Sequence, residues 1–307
     1  MRLEPRFLRG SYPPLVTPFR QGALDLDRFA ALVARQVEEG SHGILVCGTT
    51  AEATSLTVAE RNDLVRTAVR VASGRCPVVA GAGAASYEET LALLEGAERA
   101  RADAVLVVTP YYVRPPQAGL VEYFAAVGQR TALPLLVYHI PGRAAVSVTA
   151  ETVARMADRL ENLVGLKHAA PDVDLVSELR LRLGPEFRVF AGLESLSLPM
   201  LAVGAAGLMS AVGNLVPARV AALYQAVAEG NLAEAQRIHL ELFELSQAIF
   251  LDTNPIPLKY MMSRLGLLPG AEVRLPLVPL DAERQKRVDE VLRRAGLLRE
   301  GAAEGVA

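Results

Sequence analysis

Lys167 stands near the end of an apolar run, Leu163-Val164-Gly165-Leu166-Lys167-His168. A lysine held among apolar neighbours loses the hydration that favours its ammonium, and the neutral amine can attack a ketone to form a Schiff base. Tyr138 closes a second such run, PLLVYHI over 134–140. A phenol is suited to relay protons while a carbinolamine forms and dehydrates. Thr49 and Thr50 follow Gly48 at the end of a third run and offer two hydroxyls and two backbone N–H groups, enough to hold a small carboxylate. Arg143 follows Pro141-Gly142 and can grip a carboxylate bidentately. Together these groups could run imine chemistry on a small 2-oxo acid. Each also has a plainer reading: a snorkelling lysine, a core tyrosine, a capping turn, a solvated arginine.

Lysine is scarce here. Of 32 basic residues only Lys167, Lys259 and Lys286 are lysine, and the rest are arginine. Arginine replaces lysine readily on a surface but cannot serve where a neutral amine is needed. Lys167 is the lysine whose setting fits that need; Lys259 lies in TNPIPLK and Lys286 in a charged helical stretch.

Positioning such residues requires elements that end together. Eight short apolar runs alternate with amphipathic stretches: 11–17, 42–48, 77–83, 104–110, 134–140, 163–168, 188–193 and 207–212. Nearly unbroken apolar character is that of parallel strands covered on both faces. Helical periodicity falls between them, at 26–39, 57–72, 86–101 and 149–158, with Thr57/Glu60 and Ser86/Glu89 at capping-box spacing. Eight βα units predict an α/β fold of the (β/α)8 TIM-barrel type, in which the strands' C-terminal ends carry the active site. A doubly wound sheet would show a Gly-rich first turn, and Pro18-Phe19-Arg20-Gln21-Gly22 is not one. After the eighth run the pattern is purely helical, at 216–229, 231–250, 255–265 and 281–297. We therefore expect a barrel over 1–225 and a C-terminal helical appendage over 226–307 packed on it, with 299–307 frayed.

The composition narrows the function classes. The chain has 307 residues, is 51% hydrophobic and carries a net charge of −2, which gives no global pull toward nucleic acid or an anionic membrane. No apolar run is long enough to span a bilayer, and Met1 to Gly10 show no leader-like segment. Cys47 and Cys76 cannot build a disulfide framework and suit a reducing, cytoplasmic compartment. The four histidines show no ligand spacing, so no metal is expected, and GAGAAS over 81–86 lacks the last glycine of a dinucleotide fingerprint.

GTTAE at 48–52, TPYY at 109–112, YHIPGR at 138–143 and GLKHA at 165–169 together resemble the dihydrodipicolinate synthase / N-acetylneuraminate lyase family, the pyruvate-dependent class I aldolases. The likeness runs over about residues 10–280 and includes AGLE at 191–194, GAAGLMS at 204–210 and TNPIPLK at 253–259. Pro-Gly-Arg after Tyr138 is closer to the synthase branch than to the lyase branch. The resemblance implies a homotetramer built from tight dimers, small-molecule substrates and no cofactor. Residue by residue, it implies Lys167 as the imine-forming amine and Tyr138 as proton shuttle. Thr50 would link Tyr138 to Tyr112, and Tyr112 would reach across the tight dimer into the neighbouring site. Thr49 and Thr50 would hold the pyruvate carboxylate, Arg143 the carboxylate of aspartate semialdehyde, and the Met209 backbone would line the pyruvate pocket. The implied product is 4-hydroxy-tetrahydrodipicolinate, on the route to diaminopimelate and lysine. The alternative is a paralogous aldolase or dehydratase acting on a hydroxylated 2-oxo acid, such as 4-hydroxy-2-oxoglutarate or a 2-keto-3-deoxy sugar acid.

Four positions depart from the usual synthase pattern, which has Gly at 51, Asn at 139, Thr at 144 and Glu at 168. This chain has Ala51, His139, Ala144 and His168. Either these are neutral changes behind the site, or the two histidines flanking the catalytic pair reshape the pocket. The segment 81–87 also lacks the polar residues common where synthases bind feedback lysine, so inhibition by lysine is not expected.

Overall fold

The computed structural model describes residues 3, 4 and 6–298; the stretch 299–307 read above as frayed lies outside them. Eight parallel strands form the barrel: β1 (Gly10–Ser11), β2 (Ile44–Val46), β3 (Val78–Gly81), β4 (Ala104–Val108), β5 (Leu135–His139), β6 (Leu163–His168), β7 (Arg188–Ala191) and β8 (Gly207–Leu208). Each pairs with its successor from β2 to β8, β8 returns to β1 through Gly10↔Gly207, and a bridge between Pro14 and Leu45 closes the ring. All eight strands lie on or within a residue of the apolar runs predicted for them. A helix follows every strand, from Leu26–Glu38 after β1 to Pro217–Ala228 after β8.

Local chemistry sets the helix starts. Thr57 makes the full capping box with Glu60, and Asp25, Ser86, Thr149, Asn231 and Asp281 each accept from a backbone N–H of the first turn. Ser86 caps without the reciprocal bond from Glu89. The turn read at 18–22 is a small antiparallel hairpin, Phe19–Arg20 against Ala23–Leu24, with Gln21 and Gly22 in the left-handed region that a tight two-residue turn needs.

Strand side chains alternate between two cores. Leu45, Val79, Leu106, Leu136, Tyr138, Phe190 and Met209 fill the barrel interior. Val46, Ala80, Val107, Val137, Leu166 and Val189 face outward against the helices. One irregularity matters for chemistry. Leu135 pairs with Leu163 but Leu136 pairs with Gly165, so Val164 is an extra residue on β6. Strict alternation from Leu163 would point Lys167 outward; the bulge resets the parity and brings Lys167 opposite Tyr138, on the interior face. At Gly165 the strands run close: a Cβ there would fall 2.3 Å from the Arg188 carbonyl oxygen.

Beyond the eighth helix come Leu232–Ala248, Ile256–Arg264 and Ala282–Arg294, matching three predicted helices. Leu232–Ala248 packs on Pro217–Ala228, and Ile256–Arg264 on Ala282–Arg294. The segments joining these helices return to the top of the barrel. Asn254 bonds Thr50, and Arg274 bonds Glu52, Ser55 and Glu60.

Candidate active site

A cavity of about 350 Å³ opens at the C-terminal end of the strands. Gly48, Thr49, Tyr111, Tyr138, Arg143 and Asn254 are among the residues of its wall. Tyr138 and Lys167 meet directly across β5 and β6, and the Lys167 Nζ lies 4.4 Å from the centre of the Tyr138 ring. Lys167 is buried at 4% exposure, and of the pair it is Tyr138 that lines the cavity.

The Tyr138 hydroxyl shares a hydrogen bond of 3.2 Å with Thr49 Oγ1. This corrects the expectation that Thr50 makes the link. Gly48-Thr49-Thr50-Ala51 is a 3-10 turn, in which consecutive side chains diverge. Thr49 faces Tyr138, whereas the buried Thr50 hydroxyl accepts from Asn254 Nδ2 at 3.0 Å. Tyr112 stands outside the cavity of its own chain: it is 92% exposed, with φ at +75°, while its neighbour Tyr111 lines the wall. Arg143, in the short helix Pro141–Ala144, is at the rim and donates to the Asn254 carbonyl at 3.3 Å. Met209 is buried in the barrel interior, its N–H bonded to the Ala191 carbonyl, and is not part of the cavity wall.

Several groups around the site have partners that the sequence reading did not assign. Asn254 follows a long helical stretch and bears a buried Oδ1 without a hydrogen bond at the cavity wall. Lys259 is fully buried, so Lys167 is not alone among the lysines in that respect. Its ammonium pairs with Glu52 at the end of the threonine turn, donates to the Glu272 carbonyl at 2.7 Å, and lies 4.2 Å from the Phe19 ring centre. Burial pulls the Lys259 amine below its ordinary value, and Glu52 pushes it back. Glu194, after β7, has one oxygen bonded to the Ala211 N–H and the other without a bond; burial raises its carboxyl above the usual range, partly offset by the Ala211 N–H bond. The TNPIPLK stretch was the available signal for Asn254 and Lys259; nothing local marked their partners.

His139 and His168 follow Tyr138 and Lys167 and therefore face away from the cavity, into the layer between sheet and helices. Reshaping of the pocket wall by these rings is accordingly not what the geometry offers. Among the described residues no cluster of three or more His, Cys, Asp or Glu could hold a metal ion, and no helix is long and apolar enough to cross a membrane.

A family model described as the dihydrodipicolinate synthetase family matches residues 7–295. A relative from Thermus thermophilus named 4-hydroxy-tetrahydrodipicolinate synthase is 45% identical over 291 residues, covering 94% of this chain and 97% of its own. One of the same name from Nitratidesulfovibrio vulgaris is 41% identical over 290 residues, covering 94% of this chain and 99% of its own. Among solved structures, a dihydrodipicolinate synthase from Aquifex aeolicus superposes with a TM-score of 0.92 at 38% identity, over 95% of this chain and all of that one.

Proposed function

The chain belongs to the dihydrodipicolinate synthase family, and from that membership we propose that it makes 4-hydroxy-tetrahydrodipicolinate from pyruvate and aspartate semialdehyde through an imine on Lys167. It is an enzyme of the class I aldolase type acting on small molecules in lysine and diaminopimelate biosynthesis. Action on a hydroxylated 2-oxo acid is not favoured, since relatives matching nearly the whole chain carry the synthase name.

The observation that carries the site assignment is the interior pairing of Lys167 with Tyr138, with Thr49 bonded to the phenol. The Lys167 amine adds to the pyruvate ketone carbon. The carbinolamine hydroxyl takes a proton relayed by Tyr138 and leaves as water, giving the imine. Loss of a methyl proton gives the enamine, which forms a carbon–carbon bond to the aldehyde carbon of aspartate semialdehyde, and the aldehyde oxygen becomes a hydroxyl. The amine of that substrate then attacks the imine carbon, closes the ring and releases Lys167. The N–H groups and hydroxyls of the Thr49-Thr50 turn suit the pyruvate carboxylate. The Arg143 guanidinium at the rim suits the carboxylate of the second substrate. The free Asn254 Oδ1 suits the second substrate's amine.

The same reading takes the molecule as a cytoplasmic homotetramer of tight dimers. A tyrosine exposed as Tyr112 is, held in the left-handed region beside the mouth, fits a residue that enters a neighbouring subunit's site. Two buried free thiols fit a reducing compartment. Trapping tests the chemistry. Pyruvate and borohydride are expected to add one reduced pyruvoyl mass to the peptide bearing Lys167. Lack of an adduct, or an adduct that persists in Lys167→Ala, would refute the assignment.

A further inference from the structure

Directly behind the Tyr138–Lys167 pair, His139 and His168 stand opposite each other on the outer face of β5 and β6. Their rings stack at 5.1 Å with 16° between planes, both are buried, and the two Nδ1 atoms are 3.0 Å apart. The direction of this bond follows from its far end. His168 Nε2 lies 2.6 Å from the Asp172 carbonyl oxygen. A carbonyl only accepts, so His168 carries its proton on Nε2 and its Nδ1 is a lone pair. His139 must then donate from Nδ1, which leaves His139 Nε2 bare. That nitrogen is the buried one with no hydrogen bond. Burial and the other ring both oppose charging His139, and burial opposes charging His168; the Asp172 carboxylate is the one charged group acting on the pair, favouring the charge. The adjoining strand residues, Thr109 after β4 and Ala191 on β7, are uncharged.

We propose that His139 and His168 are positioning residues: a directional cross-strand clasp, from the β6–helix loop through His168 to His139, that fixes the tops of β5 and β6 so that the Tyr138 phenol meets Lys167. The proposal rests on the roles given above to Tyr138 and Lys167. The bulge at Val164 leaves the β5–β6 register with an irregular start. The clasp is the side-chain bond that pins it at the other end, one residue beyond the reacting pair. A reacting group displaced by about 1 Å can cost about 100-fold in rate, whereas binding of pyruvate by the Thr49-Thr50 turn depends on other strands.

Three variants and one spectrum test this. His139→Phe keeps a stacked ring but removes the donor. His168→Gln keeps a donor for the Asp172 carbonyl but removes the Nδ1 acceptor. His139→Asn keeps a donor near the Nδ1 position. Both bond-breaking variants are expected to lower kcat about 10-fold or more while the pyruvate KM stays within about 3-fold, and His139→Asn to stay within about 3-fold of the parent in both. With four histidines in the chain, a long-range 1H–15N spectrum is expected to show one ring as the Nδ1–H tautomer, the signal lost in His139→Phe. Should His139→Phe not fold, His168→Gln and the spectrum decide. Unchanged kcat in His168→Gln, a loss confined to KM, or four Nε2–H rings would overturn the clasp. A parent enzyme that traps no pyruvate on Lys167 would instead overturn the chemistry on which the clasp acts, and the clasp with it.

Discussion

Lys259→Met removes one member of a fully buried ion pair and nothing else of comparable size. The Glu52 carboxylate would keep only the Arg274 N–H at 2.9 Å, with no side-chain exposure to water, and the Glu272 carbonyl would lose its donor. Breaking a buried pair by removing one partner destabilises by about 3–5 kcal/mol, here toward the lower end because the Arg274 guanidinium still acts on Glu52, and this is a large share of the roughly 5–15 kcal/mol that keeps a domain folded. At roughly 2 °C per kcal/mol for a chain of this length, the melting temperature is expected to fall about 6–10 °C. The double variant Lys259→Met/Glu52→Gln withdraws both charges. Its amide can still accept from Arg274 N–H and no charge is left buried without its partner, so most of the loss is expected to return. Calorimetry on the parent, both singles and the double gives the coupling energy, expected to exceed about 2 kcal/mol. A single variant melting within about 2 °C of the parent, or a double no better than the single, would refute the reasoning.

Other outcomes follow from the same geometry. Arg143→Ala should raise KM for aspartate semialdehyde about 10- to 100-fold, the worth of a charge-assisted bond, and leave pyruvate trapping near the parent rate; equal losses in both would remove its proposed role. The His139 ring is held down to about 4 by burial. Its folded value lies below an unfolded value near 6.5, so its contribution to stability is complete above about pH 6.5 and lost as pH falls toward 4, by at most about 3 kcal/mol. Urea midpoints that stay flat between those limits would contradict this. L-Lysine is expected to leave the rate unchanged, because Arg61 donates to the carbonyls of Gly81 and Gly83 and already places a cation beside that segment; inhibition at submillimolar lysine would count against it.

The strands were legible because each is an apolar run between turn residues, and the helix starts because their caps are local. The site was legible only as far as residue types reach. That Thr49 rather than Thr50 meets Tyr138 depends on the pitch of one 3-10 turn. The bulge that aims Lys167 inward depends on β5 as much as on β6, and no single run reveals it. Lys259 read as unremarkable because its partner Glu52 is 207 residues away. The outward facing of His139 and His168 could have been read: once Tyr138 and Lys167 point inward, their successors must point outward.

Those distances along the chain also set an order in time. At about 5–20 residues per second, the ribosome releases Lys259 roughly 10–40 s after Glu52, an interval fixed by the 207 residues between them. Throughout that interval Glu52 lacks its Lys259 partner, and Thr50 lacks its bond to Asn254. The barrel strands, by contrast, have all emerged by Leu208. A nascent chain thus holds every barrel strand before it holds the two side chains that brace the threonine turn, and that bracing arrives late, with the helices that look least involved in the chemistry.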